Sequence, residues 1–315
     1  MKEFIITGND EGRRMDKFAL KILTNAPSSF VYKMIRKKNI VLNDKKASGN
    51  EILCTGDIIK FYFSDETFVK FSRKETKINP DNSHIPPIVY EDEDIIIVNK
   101  PAGMLSQKSS ADSVSLNEIL LSYVLTANNY EPGSEAFKPS VCNRLDRNTS
   151  GLVTFAKSYR ASKCISSALA DHLIKKYYRC IVKGSINEDM NLKGSLIKDE
   201  ASNKVSVYSD ENAGKYINTK VCPLKCSNDV TLLEILLVTG KTHQIRAHLA
   251  SVGHPLIGDG KYGDRAVNDI YRKKFGISYQ MLSCCRMVFP DDFELGQIAG
   301  KTFEIDMPSV FYKVV

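Results

Sequence analysis

One stretch, residues 141–157, constrains this chain of 315 residues most, because a strongly polar loop leads directly into an apolar segment. Residues 151–156 are rich in β-forming side chains and predict a buried strand. Residues 143–148 carry three charged side chains and two amides, so this half cannot lie in the core. Thr149, Ser150 and Gly151 indicate a turn between the two halves. The pattern predicts a polar loop held at the edge of a buried strand.

Asp146 lies in this loop between two arginines, Arg144 and Arg147. Because nearby positive charges favour the charged form of a carboxylate, we expect Asp146 to be ionised at neutral pH. An ionised carboxylate acts as a nucleophile or a base rather than as an acid. The same residues would also fit an ordinary ion pair in a solvated turn, and the loop alone does not decide between the two interpretations.

The composition restricts the class of protein. A hydrophobic fraction of 43% is ample for a large core, and a net charge of +7 fits a nucleic-acid partner without requiring one. The eight cysteines form no small-domain framework, and the N-terminus has no hydrophobic signal segment. No apolar run approaches the roughly 18 residues of a membrane span. These features predict a reduced, cytoplasmic protein that does not enter a membrane.

Residues 143–152 read Asn-Arg-Leu-Asp-Arg-Asn-Thr-Ser-Gly-Leu. This sequence resembles the loop of the RluA-type RNA pseudouridine synthases, whose usual form is His-Arg-Leu-Asp-x-x-Thr-Ser-Gly-Leu. The catalytic Asp of that family falls on Asp146. Asn143 stands in place of the family His. This replacement keeps a side chain that can form hydrogen bonds but removes one that can titrate.

Three further segments resemble motifs of the same family, in the same order along the chain. Residues 100–103 match its Lys-Pro-x-Gly turn, where Lys100 would point from the end of a buried strand towards a cleft. Residues 176–184 match its Lys-x-Tyr motif, and counting back from Gly184 places the active-site tyrosine at Tyr178. The adjacent Tyr177 must face the other side of the strand. Residues 240–249 match Gly-Arg-Thr-His-Gln-Ile-Arg-x-His-Leu, with Lys241 in place of an Arg.

The resemblance implies roles for individual residues. Asp146 would be the catalytic residue, Tyr178 would stack on the uracil and assist with the proton at carbon 5, and Arg246 would pair with Asp146. The other substrate-binding residues implied are Arg144, Lys241, His243 and Gln244. Lys241 keeps the charge of the family Arg but loses its bidentate geometry.

The resemblance also implies an α+β fold: a mixed, largely antiparallel sheet, flanked by helices and split by a catalytic cleft, with a small N-terminal α-L RNA-binding module. We expect the module at residues 1–66, a linker at 67–87 and the catalytic domain at 88–315. Apolar spacing predicts a helix near Met15 to Leu23 and a second helix with Ser28 as its N-cap. Basic residues of the module are candidates for phosphate contact, although a solvated helix face would look the same: Arg13, Arg14, Lys33, Arg36 and Lys37.

The implied function is isomerisation of uridine to pseudouridine in RNA, with large-subunit ribosomal RNA as the expected substrate and tRNA as an alternative. This reaction needs no redox change, so we expect no cofactor. We also expect no metal, and we expect the enzyme to be a monomer. A zinc site at His243, His248 and His254 is disfavoured, because the first two are five residues apart rather than four. A serine hydrolase would need a Gly-x-Ser-x-Gly elbow, which is absent. A catalytically inactive RNA-binding protein should have lost the Asp, the Tyr or the Arg, and all three are present.

Overall fold

The computed structural model describes residues 1–72, 85–110, 113–127, 136–199, 202, 204–227 and 229–315. The helices are α1 Met15–Ile22, α2 Ser28–Arg36, α3 Asp65–Phe71, α4 Leu116–Ala127, α5 Tyr159–Ala170, α6 Gln244–Ser251 and α7 Arg265–Phe275. The strands are β1 Lys2–Ile5, β2 Ile40–Leu42, β3 Lys45–Lys46, β4 Ile58–Phe61, β5 Ile88–Glu91, β6 Ile95–Lys100, β7 Ser140–Val141, β8 Ser150–Ala156, β9 Lys175–Lys183, β10 Met190–Asp199, β11 Lys204–Tyr208, β12 Lys215–Ser227, β13 Val230–Leu237, β14 Leu282–Val288 and β15 Thr302–Glu304.

The chain forms two compact units that interleave along the sequence. The first unit comprises Met1–Ile97, Ser110–Cys142 and Thr154–Ser166. The second unit comprises Val98–Ser109, Asn143–Val153 and Ser167–Val315. Among the described residues, none of the helices combines the length and the apolar character that a membrane-spanning helix needs.

The first unit contains a four-stranded antiparallel sheet with the order β1-β4-β2-β3. The apolar side chains of α1 recur at helical spacing and are buried together with those of α2 and β4, among them Phe18, Ile35 and Phe61. The helix predicted near Met15 is therefore confirmed. The sheet and its helices share one hydrophobic core.

The prediction of Ser28 as an N-cap was wrong by one residue. Helix α2 begins at Ser28 and is preceded by Pro27, which makes no side-chain cap bond. The carbonyl oxygen of Pro27 accepts hydrogen bonds from the N–H groups of Phe30 and Val31, at 2.9 and 3.4 Å. Pro27 thus takes the capping position, because its fixed φ of −59° and extended ψ of 143° suit the residue before a helix.

Helix α3 crosses the boundary that we predict between the module and the linker at residue 66. Its Ser64 cap accepts a hydrogen bond from the Thr67 N–H group, and Phe68 and Phe71 pack against the core of the first unit. Residues 73–84 of the predicted linker lie outside the described residues. The domain boundaries stay a prediction.

The second unit is built on a sheet in which the neighbouring strands are, in order, β11-β10-β12-β13-β9-β14-β8. Five of the pairings in this order, from β11 to β14, are antiparallel, whereas β8 pairs with β14 in parallel. Helix α6 covers one face, where Ala247 packs with Ile217, Leu196 and Val205. The predicted α+β class with a mixed, largely antiparallel sheet is confirmed.

The strand predicted at residues 151–156 is observed as β8, and all seven of its residues are buried. Gly151 has a φ of +117°, and a Cβ atom at this position would lie 2.3 Å from the carbonyl oxygen of Cys284. Only glycine therefore allows β8 to approach β14 at this point. This close approach fixes the polar loop that precedes β8 against the centre of the sheet.

Candidate active site

The loop of residues 143–149 is anchored by its backbone and by Lys100 at the end of β6. Lys100 is fully buried, and its Nζ atom donates to the carbonyl oxygens of Pro101, Met104 and Arg147, at 3.0, 2.9 and 3.2 Å. Burial lowers the pKa of Lys100 to about 8, while the charge of Asp146 acts in the opposite direction. Lys100 thus lies at the end of a buried strand beside the loop of Asp146, and its ammonium group binds that loop from inside.

A second brace fixes the backbone next to Asp146. The Ser106 hydroxyl donates to the carbonyl oxygen of Leu145 at 2.8 Å and accepts from the N–H group of Leu145 at 3.1 Å. The Asn143 side chain is buried, and its Nδ2 atom donates to the Leu152 carbonyl oxygen of β8 at 3.3 Å. An amide is suited to this contact, which gives a structural role to the residue that departs from the family pattern.

Arg246 in α6 joins two carboxylates. Its Nη1 atom donates to Asp146 Oδ2 at 2.8 Å, while Nε and Nη2 form a bidentate pair with Asp259, at 2.7 and 2.8 Å. Burial by itself would lower the pKa of Arg246, but the hydrogen bond and charge of Asp259, with those of Asp146, outweigh it and raise that pKa. The structure therefore brings Asp146 and Arg246 together, as the sequence predicted.

Sequence reasoning assigned no role to Asp259. Its side chain is fully buried, and Oδ1 also accepts the backbone N–H groups of Lys261 and Tyr262. Burial alone would raise the pKa of Asp259. The hydrogen bond and the charge of Arg246 lower this pKa by more than burial raises it, so the net shift is downward. A glycine–aspartate pair is no signal by itself, so only the folded structure identifies this second carboxylate.

Tyr178 in β9 is buried, with 6% of its surface exposed. Burial raises the pKa of its phenol strongly, with further contributions from Cys284, with which it shares a hydrogen bond, and from the nearby charge of Asp146. Tyr177 points to the other side of the strand, where the Arg286 guanidinium lies 4.1 Å from its ring centroid. The structure thus places Tyr178, rather than Tyr177, in the neighbourhood of Asp146.

His243 lies immediately before α6, and its imidazole reaches the same site. Its Nε2 atom is 3.9 Å from Asp146 Oδ2, and its Nδ1 atom is 2.9 Å from the hydroxyl of Tyr262. The Tyr262 ring also lies 5.2 Å from the Arg246 guanidinium. Sequence reasoning included His243 but assigned no role to Tyr262, which lies 19 positions further along the chain.

The other predicted substrate-binding residues differ in their surroundings. Arg144 and Lys241 are exposed, so both are open to a ligand. Gln244 is only 2% exposed, and its amide bonds with Thr239, the Lys241 N–H group, the Asn218 carbonyl oxygen and Thr219. The prediction that Gln244 contacts substrate is contradicted by this burial. The residue instead braces the turn that leads into α6.

One of the basic residues predicted to contact phosphate is buried inside the first unit. Arg13 is buried with a 3.1 Å ion pair to Asp10, and its guanidinium lies 4.1 Å from the ring centroid of Tyr159. Its assignment to phosphate contact was therefore wrong. Arg14 is partly exposed but is held by Asp16 at 2.8 Å. The other three basic residues, in α2 and at its end, are exposed: Lys33, Arg36 and Lys37.

The histidines of the disfavoured zinc site have other partners. His248 shares a hydrogen bond with Thr219 at 3.0 Å, and His254 with the carbonyl oxygen of Lys183 at 2.9 Å. Over the residues that the structure describes, no group of three or more His, Cys, Asp or Glu side chains is placed to hold a metal ion.

Comparison with known proteins gives consistent matches. A sequence profile of the family described as RNA pseudouridylate synthase matches residues 94–251. An uncharacterized RNA pseudouridine synthase of Mycoplasma pneumoniae is 32% identical over 268 residues, which cover 82% of this chain and 80% of the relative. The ribosomal large subunit pseudouridine synthase C of Vibrio cholerae is 30% identical over 286 residues, covering 88% of this chain and 85% of the relative.

Solved structures share the fold. Human RNA pseudouridylate synthase domain containing 4 aligns with a TM-score of 0.55 at 18% identity, over 72% of this chain and 90% of the human chain. Human RNA pseudouridylate synthase domain containing 1 aligns with a TM-score of 0.53 at 20% identity, over 71% of this chain and 84% of the human chain. At such low identity this likeness concerns the fold alone.

Proposed function

From the premise that the chain belongs to the RNA pseudouridylate synthase family, and is therefore an isomerase that converts uridine in RNA to pseudouridine, we propose that Asp146 is its catalytic residue and that large-subunit ribosomal RNA is its substrate. The family that the four sequence motifs indicated is thereby confirmed. The roles of individual residues and the choice of RNA are our proposals.

The reaction breaks the bond between ribose and uracil, turns the base and rejoins it through carbon 5. The target nucleotide must leave its helix so that the enzyme can reach it. Asp146 then acts on the ribose or the base, as a nucleophile or as the base that removes a ribose proton. Both roles require an ionised carboxylate.

The observation that carries this proposal is the 2.8 Å hydrogen bond between Arg246 Nη1 and Asp146 Oδ2. A charge-assisted bond from a guanidinium orients the carboxylate towards one side of the site. The guanidinium is itself held by buried Asp259, so it cannot turn away without breaking a bidentate pair. Asp146 retains 28% exposure of its side chain, which leaves it accessible to a substrate.

Tyr178 serves as the aromatic neighbour of the uracil and assists with the proton at carbon 5. Burial raises the pKa of this phenol, which is therefore neutral, so it can take the proton from carbon 5 only as it passes its own proton to a neighbouring acceptor. The exposed Arg144 and Lys241 supply positive charge to the RNA. The reaction is redox-neutral, and we propose that the protein works as a monomer without a metal or cofactor.

The choice of ribosomal RNA is supported by relatives named ribosomal large subunit pseudouridine synthase C, such as that of Vibrio cholerae. We assign phosphate contact to the exposed basic residues Lys33, Arg36 and Lys37. These residues belong to the proposed N-terminal module of residues 1–66, which a linker joins to a proposed catalytic domain at 88–315. We propose that the enzyme acts on this substrate in the cytoplasm.

The experiment maps pseudouridines in total RNA from cells with and without this protein, and restores the protein from a plasmid as a control. We expect at least one pseudouridine of the large-subunit ribosomal RNA to disappear and to return on restoration. Loss of pseudouridine from tRNA alone would contradict the proposed substrate. An unchanged map in every RNA would contradict the assignment of catalytic residues as well.

A further inference from the structure

The backbone of His243 is held in an uncommon conformation directly before α6. Its φ of 53° and ψ of 18° lie in the left-handed region, which is unfavourable for most residues other than glycine but more accessible to histidine and asparagine. This conformation directs the imidazole between two partners. Nδ1 lies 2.9 Å from the Tyr262 hydroxyl, and Nε2 lies 3.9 Å from Asp146 Oδ2.

The hydroxyl of Tyr262 is the hydrogen-bond partner from which we assign the protonated nitrogen of His243. It accepts a hydrogen bond from the Val205 N–H group at 2.9 Å. A backbone N–H group can only donate, so the phenol proton must point to another atom. The Tyr262 hydroxyl lies 2.9 Å from His243 Nδ1, and we assign the phenol proton to this contact, so that the hydroxyl accepts from Val205 and donates to the ring. Nδ1 is then unprotonated, and the proton of the neutral imidazole lies on Nε2.

The surroundings of the ring favour its neutral form. Burial lowers the pKa of His243 most, the charge of Asp146 opposes this, and the charges of Arg246 and Lys261 lower the pKa further, with Asp259 as a weaker opposing charge. A neutral ring with the proton on Nε2 presents one hydrogen-bond donor towards the carboxylate of Asp146.

The gap between His243 and Asp146 has the dimensions of a binding position. A distance of 3.9 Å is too long for a hydrogen bond between Nε2 and Oδ2. One oxygen atom of a ligand can nevertheless lie about 3 Å from both. That oxygen must accept from Nε2–H and donate to the carboxylate. A hydroxyl group can do both, whereas a uracil carbonyl oxygen can only accept.

We infer that His243, held by Tyr262 as the Nε2–H tautomer, is a substrate-contacting residue that donates a hydrogen bond to a ribose hydroxyl of the target nucleotide, and that Asp146 accepts the proton of the same hydroxyl. The 2′-hydroxyl is the group that distinguishes RNA from DNA at one site. His243 therefore contributes to the selection of ribonucleotides. This inference rests on the proposed function, because it requires the target nucleotide to bind beside Asp146.

The first experiment reads the tautomer directly and does not depend on activity. The full chain carries ¹⁵N-labelled histidine, and ring nitrogens are observed by NMR at pH 7, with His243→Asn to assign the signals. Asparagine is chosen because it also tolerates the left-handed backbone. We expect His243 to be neutral with its proton on Nε2, and Tyr262→Phe to remove this preference. A proton on Nδ1, or a doubly protonated ring, would overturn the inference.

The second experiment tests the hydroxyl contact. An RNA with 2′-deoxyuridine at the mapped target position competes with the uridine RNA, and the inhibition constant is compared with the KM of the uridine RNA. We expect wild-type protein to bind the deoxy RNA more weakly, and His243→Asn to reduce this discrimination by about five- to tenfold, the loss of one hydrogen bond. Unchanged discrimination, with normal isomerisation by the wild type, would refute the hydroxyl contact alone. Absence of isomerisation by the wild type on any RNA would instead refute the proposed function, and this inference with it.

Discussion

At the scale of single residues, the site depends on one guanidinium shared by two carboxylates in different surroundings. Asp259 is fully buried and takes two of the N–H groups of Arg246, whereas Asp146 is partly exposed and takes a third. The buried pair fixes the plane of the guanidinium, because a bidentate contact tolerates little rotation. Asp259 therefore acts through Arg246 and is a positioning residue.

The first prediction concerns Asp259→Asn. The variant keeps an oxygen for the N–H groups of Lys261 and Tyr262 but loses the charge that anchors Arg246. We expect the single-turnover rate to fall about 10²-fold, since small displacements of a reacting group have effects of this size. RNA affinity should change little. The exposed Asp269→Asn serves as the matched control, and equal rates in the two variants would contradict the positioning role.

The second prediction concerns Lys100, whose pKa burial lowers to about 8 from its ordinary value of 10.5. Between these two pH values the unfolded chain binds a proton at Lys100 that the folded chain does not, so the contribution of Lys100 to stability increases with pH. We compare wild type with Lys100→Met by urea unfolding from pH 7 to 10. The difference in free energy of unfolding should shift in favour of the wild type above pH 8, by up to about 1.4 kcal/mol per pH unit. A difference that is constant with pH would contradict the lowered pKa.

The family motifs in the sequence predicted the pairing of Asp146 with Arg246, because each residue has a fixed position in its motif. They did not predict Asp259 or Tyr262, whose roles arise from partners brought together by folding. Gln244 was assigned to substrate only because the resemblance to the family implied it. The direction of its side chain depends on the left-handed backbone of His243, which turns Gln244 towards Asn218 and Thr219.

At the scale of secondary-structure elements, the parallel contact between β8 and β14 holds the loop of Asp146 against the sheet. Ser150 and Gly151 are paired with Ser283 and Cys284. The contact leaves no room for a Cβ atom at Gly151, and the backbone there has a φ that L-residues rarely adopt. The residue that ends the polar loop is therefore limited to glycine.

The third prediction concerns Gly151→Ala. The added methyl group must displace the backbone of Cys284, so we expect the free energy of unfolding to decrease by more than about 2 kcal/mol, as strained backbone substitutions do. Urea unfolding followed by circular dichroism measures this. Gly296→Ala is the control, because nothing lies within 4 Å of a Cβ atom at that position. A loss of stability no larger than that of the control would contradict the tight β8–β14 contact.

Periodicity predicted the elements with a strong apolar pattern, including α1, β8 and β9. It missed β1 and β3, since both are mostly exposed and neither shows an alternation of buried and exposed positions. Strands of this kind form only because β4 and β2 offer them hydrogen-bonding partners. Their existence depends on tertiary structure, which a local pattern does not contain.

At the scale of the whole molecule, the net charge of +7 is less informative than the location of individual cations. Arg13 belongs to the interior of the first unit, whereas Lys33, Arg36 and Lys37 lie on its surface. Only the exposed cations can replace the counterions of an RNA backbone. The affinity for RNA should accordingly depend on the second group and not on the first.

The fourth prediction concerns the triple variant Lys33→Glu, Arg36→Glu and Lys37→Glu. We expect weaker RNA binding and a salt dependence that is less steep by up to about two to three units in the slope of log K against log [salt]. A matched variant reverses three other exposed lysines with an identical charge change: Lys273, Lys274 and Lys313. Equal effects of the two variants would show that net charge, rather than this surface, controls binding.

The most direct test of the whole account is the single-turnover rate of pseudouridine formation by Asp146→Asn, measured together with its affinity for the same RNA. Asparagine nearly preserves the shape of the side chain but cannot act as a nucleophile or base. The account predicts that no pseudouridine forms above background while RNA affinity stays within a few-fold of the wild type, with Asp269→Asn fully active. Pseudouridine formation by Asp146→Asn at a rate close to that of the wild type would contradict it.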